Sequence, residues 1–532
     1  MVICNLNVPT STTLSYPLLI ITGTCSNPTK TVYLTHKPIK NSSSQEKEQE
    51  QGFKIAGWRF CNGVSFPARG GCFKMLVHLE EGDNLVWLWE KESNEEVVGS
   101  GGESVRGETE GLDVVNEVDN EIRNGNRERG CSTNTDILGG RAVKLQLRYD
   151  NAAGSRRGQV RLVYLLANDK DGSFQGPEFE NTTQESGIKR LKVAGRLIQS
   201  AMAHMMHTAG FGRITFNLDE DVVIHRLEQN FEELKKMDDH CLYCTVYKAL
   251  QKQKSRKHGK ENSTVENDDD DDDDDRCIDI AIMSFTRYDA SQSKVFCHTA
   301  LGAYPLALFG GASLHCWPQS IAEIVPRFCD TRVLDTKQFF DDSNGRSQRW
   351  ALLSTTMGAV LHELGHAFGL RHPTLRTAER GGVADVMSRG FDHFNRLFVA
   401  VEGNKCVQEL GNVPIWERSA ALQLSVHPMI SSHDGIRDSN FERLASLPKI
   451  DVAFCKKENN ISVDCDAGIC TILYYVDDDI ADHDEQFDMK DKCLSLGSKE
   501  QLKRRFKIAN NQNLVVNVID RFGQSKECNI SD

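Results

Sequence analysis

The chain predicts an α+β fold, a mixed central domain flanked by N-terminal and C-terminal β-sandwich-like domains. Three observations carry that expectation. Both ends read as short stretches of alternating apolar and polar residues set off by glycine turns, the period-2 pattern of strands. The middle alternates apolar, strand-like runs with segments of helical periodicity. One of those segments, Trp350 to Leu361, is largely apolar and runs straight into the string His362-Glu363-Leu364-Gly365-His366-Ala367-Phe368-Gly369-Leu370-Arg371-His372.

Taken in order, residues 1–90 form the first domain. Residues 18–24, 31–35 and 72–80 read as strands, and Gly82-Asp83-Asn84 as the turn before a strand at 85–89. Such spacing suggests a sandwich and resembles immunoglobulin-like repeats, from which no function follows. Residues 91–138 are rich in Glu, Gly, Asn and Ser without periodicity, as in an acidic disordered insertion or linker. The central domain is expected over 139–440. Strands at 143–149 and 160–167 open it. An amphipathic helix over 183–209 follows, with Ile188, Leu191, Ala194, Leu197, Ile198 and Met202 on one face. Residues 251–276, a basic patch and then the run Asp268–Asp275, read as a solvated, mobile insertion. A buried strand at 278–285, a bent strand at 306–316 and a closing helix at 416–427 complete the domain. Residues 441–532 return to strands, at 461–463, 471–476 and 514–519, and form the C-terminal β-rich domain.

Composition narrows the setting. The 532 residues carry a net charge of −13, with 39% hydrophobic and 26% charged residues, ordinary values for a soluble globular protein. An acidic balance argues against nucleic acid as a partner. The 17 cysteines are odd in number and dispersed, unlike a disulfide scaffold. The N-terminus lacks a basic n-region and no stretch is long enough to span a bilayer. A cytoplasmic or nuclear location with reduced thiols, away from membranes, is the expectation.

The HExxHxxGxxH string carries the chemistry. On a helix, His362 and His366 lie one turn apart on one face, so both imidazoles can reach one metal ion. Glu363 projects beside them as a base for metal-assisted hydrolysis. Gly369 lets the chain leave the helix through a backbone conformation that a Cβ disfavours, bringing His372 round as a third ligand. Three protein ligands leave a fourth position open, as in catalytic rather than structural zinc sites. Asp385-Val386-Met387-Ser388 follows at a distance suited to a Met-containing turn beneath the metal.

Together the motif and the Met-turn resemble the metzincin clan of zinc metallopeptidases. More broadly, residues 140–430 are similar to an uncharacterised eukaryotic family of intracellular zinc metallopeptidases. The resemblance implies a twisted mixed sheet plus an active-site helix, one catalytic Zn2+ held by His362, His366 and His372, and support from Met387. It also implies peptide hydrolysis by a zinc-bound water that Glu363 activates, on a peptide or protein substrate. Some metzincins carry a tyrosine two residues beyond the methionine. Here Arg389 occupies that place, leaving Arg389, His393 or backbone amides to assist the metal in stabilising developing charge. The clan's substrate-pairing edge strand is expected at 309–316.

Other candidates are weaker. His204 and His207 lack a third partner, and Cys241-Leu242-Tyr243-Cys244 lacks the second pair of a structural zinc site. The Asp run lacks the turn and spaced ligands of a calcium loop. Two alternative functions stand beside peptide hydrolysis: a non-peptidase zinc hydrolase, and a non-catalytic scaffold using its β domains. Oligomeric state is not readable.

Overall fold

A computed structural model describes residues 3–4, 6–9, 11–25, 31–38, 59–60, 66–67, 72–91, 142–150, 158–257, 277–373, 384–403, 405–431, 449–455, 460–485, 491–509 and 512–530. Of the insertion expected at 251–276, residues 251–257 instead continue the helix Asp239–Lys257, while residues 258–276 with the Asp run, and the expected linker after residue 91, lie outside the described residues. The architecture is α+β, divided into two units, Met1–Asp150 with Phe398–Leu410, and Asn151–Leu397 with Gly411–Asp532.

In the first unit, a three-stranded antiparallel sheet joins Ile3–Cys4, Leu18–Cys25 and Cys72–His78. Leu18, Leu19, Ile20, Ile21, Phe73, Met75 and Val77 are buried in it. A second sheet runs in the order Ser11–Leu14, Ala142–Tyr149, Gly82–Lys91, Thr31–Pro38, Arg59–Phe60, with Phe66–Pro67 also paired to Thr31–Pro38. Ala142–Tyr149 therefore does not open the central domain as its place in the chain predicts. It pairs antiparallel with Gly82–Lys91, setting Leu145 opposite Val86, and both side chains are buried. Alternation identifies a strand but not its partner, because pairing is a long-range choice.

The second unit is built on a five-stranded sheet ordered Leu218–Arg226, Gln159–Leu166, Cys277–Met283, Leu306–Gly310, Ala300–Ala303. The first four strands are parallel and the last is antiparallel. Gln159–Leu166 and Cys277–Met283 are almost wholly buried, as a sheet covered on both faces requires. On one face Val163 and Leu165 pack with Leu242, Val246 and Leu250 of the helix Asp239–Lys257. The alternate residues Leu162 and Tyr164 meet the long helix Gln184–Thr208, where Gly187 and Gly195 let the backbones close up. That helix is capped by the Thr183 side chain, which accepts from the Ser186 N–H at 3.3 Å.

The C-terminal part carries two antiparallel sheets. One joins Ile450–Cys455, Asn460–Cys465 and Cys493–Gly497. The other is ordered Asp479–Glu485, Ile469–Val476, Leu514–Asp520, Ser525–Asn529. Leu422 and Val426 of the closing helix Arg418–Val426 share a core with Cys470, Leu473, Tyr475, Ile480 and Ile519, so the second sheet is docked on that helix. Among the described residues, no helix is long and apolar enough to cross a membrane.

Candidate metal centre

The helix Arg349–Ala367, which carries His362, Glu363 and His366, is buried along almost its whole length. Its first turn is tied down by charge. Glu180 accepts from Arg190 at 2.9 Å, Arg327 at 2.5 Å and Arg349 at 2.5 Å, while Arg349 also reaches Asp330 at 3.0 Å. Burial works against ionisation of Glu180, but the Arg327 and Arg190 guanidinium groups outweigh it and hold its pKa below the usual carboxylate value. Further along, Thr356 Oγ1 accepts from the Trp317 indole N–H at 3.1 Å, and Ser354 Oγ donates to the Asp392 carbonyl at 2.9 Å. These contacts fix the rotation of the helix, and with it the direction of His362, Glu363 and His366.

The helix ends in a Schellman motif. The Leu370 N–H donates to the Gly365 carbonyl at 3.0 Å and the Gly369 N–H to the His366 carbonyl at 2.9 Å. Gly369 adopts φ +83°, the left-handed conformation this stop demands. The chain then doubles back, and His372 comes round to its two partners. The Nε2 atoms of His362, His366 and His372 lie 3.1, 3.1 and 3.0 Å from one another.

Tautomers decide what that triangle means. His362 Nδ1 lies 2.8 Å from the Val386 carbonyl and His366 Nδ1 lies 2.8 Å from the Leu370 carbonyl. A carbonyl can only accept, so Nδ1 carries the proton in both rings and Nε2 presents a bare lone pair. Burial also drives both imidazoles towards the neutral form, His362 to about 3. Lone pairs converging at such distances repel unless a cation lies among them. Tetrahedral zinc bonded at about 2.0–2.1 Å would space its nitrogens by about 3.3–3.4 Å, close to what is found. The residues present fit a zinc ion. Among the described residues, no other group of three ligating side chains converges; His204, His207, Cys241 and Cys244 do not.

Glu363 is buried beside these rings. Burial pushes its carboxyl up to about 7, against the downward pull of the Gly302 N–H. Gly302 was not legible as a site residue. It lies in the edge strand Ala300–Ala303, and a Cβ there would run into the Glu363 backbone carbonyl. The edge therefore falls at 300–303, not 309–316 as the sequence suggested. Phe309 and Gly310 end the interior strand Leu306–Gly310, and 311–316 form a buried 3-10 helix. The preceding residues double back through Tyr304-Pro305 to add the antiparallel edge, and Ala-Leu-Gly-Ala is too poor in β-branched residues to announce a strand. Tyr243, inside the CxxC segment, braces that edge by donating to the carbonyls of Ala303 and Leu306 at 3.0 and 3.2 Å.

Met387 is buried under the helix; a Cβ on Gly365 would come within 2.5 Å of its sulfur. Asp385 anchors this turn by accepting from the Glu417 N–H at 3.2 Å. Arg389 is engaged with Asp392, at 3.0 and 2.7 Å, and lies over the Phe391 ring.

An α+β domain that sets two neutral imidazoles, a third ring and a carboxyl of near-neutral pKa around one point has the make-up of a metal-binding centre. The chain belongs to the Metallopep family, described as "Putative peptidase family", whose profile matches residues 2–470. It is 27% identical over 290 residues to a "Putative zinc metalloproteinase" of Schizosaccharomyces pombe, covering 50% of this chain and 44% of that protein. A Saccharomyces cerevisiae protein of the same description is 26% identical over 330 residues, covering 54% and 44%. The chain thus spans less than half the length of these relatives. Two crystal structures of OgpA from Akkermansia muciniphila align over 71% of this chain. The wild type does so with TM-score 0.40 and 15% identity over 93% of its own chain. A catalytically inactive form in complex with an O-glycopeptide substrate does so with TM-score 0.41 and 13% identity over 92% of its own chain.

Proposed function

We propose that this chain is a zinc-dependent metallopeptidase of the metzincin type, with His362, His366 and His372 as ligands and Glu363 as base. The observation that carries it is the set of three Nε2 atoms at 3.0–3.1 Å, next to a buried carboxyl with a pKa of about 7. Membership of a peptidase family and the zinc in the names of both yeast relatives support the same reading. Zinc, when bound, supplies a Lewis acid for the scissile carbonyl and makes water a better nucleophile. The remaining work falls to the chain. Glu363 Oε accepts a proton from the attacking water and delivers it to the departing amine nitrogen. A base poised near neutrality suits both transfers. The substrate backbone would lie along the outer side of Ala300–Ala303, one strand further out on the sheet. Gly369 and Met387 act on placement, the first by turning His372 in, the second by filling the space below the helix.

The test is cleavage of a mixed peptide library, read by mass spectrometry, with zinc-loaded wild type and Glu363→Ala side by side. Cuts made by the wild type alone establish the peptidase. A folded, zinc-loaded wild type that cuts nothing would sink it and favour another acyl substrate.

A further inference from the structure

Taking the three histidines as the zinc ligands, as proposed above, we infer that the second C-terminal sheet is part of the metal centre: its hairpin clamps the loop that presents His372. Two of the ligands sit on a rigid helix. His372 lies beyond the helix stop, on an exposed loop that has to be held from outside.

The hold comes from residues 475–480 and 527, past the end of the matched family region at 470. The hairpin joins Ile469–Val476 to Asp479–Glu485 through Asp477 and Asp478, both at positive φ (51° and 74°), the tight primed turn that matches strand twist. Just beyond the turn, the Ile480 N–H donates to the His372 carbonyl at 2.8 Å, and Pro373 bridges to Ile480. Arg371, the residue before the ligand, is gripped separately. Its guanidinium lies 4.2 Å over the Tyr475 ring, donates to Glu527 at 2.7 Å and reaches Asp478 at 3.1 Å. Asp478 is 92% exposed, so that pair contributes little. The Tyr475 stack and the Glu527 pair carry the grip. Tyr475 and Ile480 are themselves buried in the core shared with the closing helix, so the clamp is anchored to the central domain. Residues on both sides of His372 are therefore fixed by one β-hairpin and the edge strand Ser525–Asn529 of the same sheet.

Arg371, Tyr475 and Glu527 are positioning residues: they act on the segment that presents His372 and lie outside the proposed ligand set. Their loss should appear first in metal affinity. Outer groups that orient ligands are typically worth 10- to 100-fold in metal affinity. The test measures zinc affinity of the full chain by competition with a chromophoric chelator, and the visible absorption of the Co2+-substituted protein. It compares wild type with Arg371→Ala, Arg371→Lys, Glu527→Gln and His366→Ala. The clamp predicts about a ten-fold or greater loss for Arg371→Ala, a smaller loss for Glu527→Gln, partial recovery in Arg371→Lys, and an altered Co2+ spectrum, all with circular dichroism unchanged. Glu527→Gln keeps the stack and the shape of the side chain, so it reports even where Arg371→Ala fails to fold. If His366→Ala abolishes zinc binding while Arg371→Ala and Glu527→Gln bind as wild type, the clamp is overturned and the ligand set stands. If His366→Ala itself binds as wild type, the ligand set falls and the clamp falls with it.

Discussion

At the scale of single residues, the centre depends on which atom carries a proton. Carbonyls of Val386 and Leu370 fix the two helix imidazoles with their lone pairs inward, and burial keeps them neutral. Glu363 is pushed the other way, towards neutrality from the acid side. Replacing it with glutamine preserves volume while removing the base. Glu363→Gln should therefore keep its zinc and lose about 10²–10⁴-fold in kcat, read by peptide turnover and elemental analysis together. Wild-type turnover in that variant would remove Glu363 from the mechanism. His366→Ala should lose the metal itself, and an unchanged zinc content would refute the ligand set.

Among elements, close approach and buried charge decide placement. The edge strand meets the helix Arg349–Ala367 where Gly302 has no side chain, and the neighbour there is backbone, which cannot swing aside. Gly302→Ala should destabilise by about 1–3 kcal/mol through overpacking, measured by urea unfolding, with activity falling further than stability because Glu363 is displaced. At the other end of the helix, Glu180 is held ionised by Arg327, Arg190 and Arg349. Its folded pKa lies below its unfolded value, so its contribution is present above about pH 4.5 and fades as pH falls through the folded pKa. Glu180→Gln should lose about 3–5 kcal/mol at neutral pH, leaving three arginines short of a counter-charge. It should also flatten the acid limb of the stability profile below pH 4.5. An acid limb equal to that of the wild type would show that other carboxylates set it.

For the molecule as a whole, the proposed ligand set predicts that metal and fold are coupled, because its three histidines come from two segments that converge only in the folded chain. A metal that binds the native state alone raises stability with concentration. Stripping zinc with a chelator should lower the Tm of the wild type, while His366→Ala should melt alike with and without chelator. Equal chelator sensitivity in both proteins would place the stabilising ion elsewhere.

The sequence by itself determined which residues the candidate site draws on. Local spacing was enough for His362, Glu363 and His366, since i and i+4 on a helix share a face, and for Gly369, since a Schellman stop needs φ > 0. The long helix was legible to within a residue, over 184–208 against an expected 183–209, because its apolar period is local. Only the tertiary structure decided what depends on partners distant in the chain. It moved Ala142–Tyr149 into the N-terminal sheet and put the edge of the central sheet at 300–303. It brought Gly302 against Glu363, and set Ile480 against His372 and Glu527 against Arg371. Strand partners, edges and loop anchors are settled by pairing and burial across many residues of separation, and no window of sequence contains both sides of such a contact.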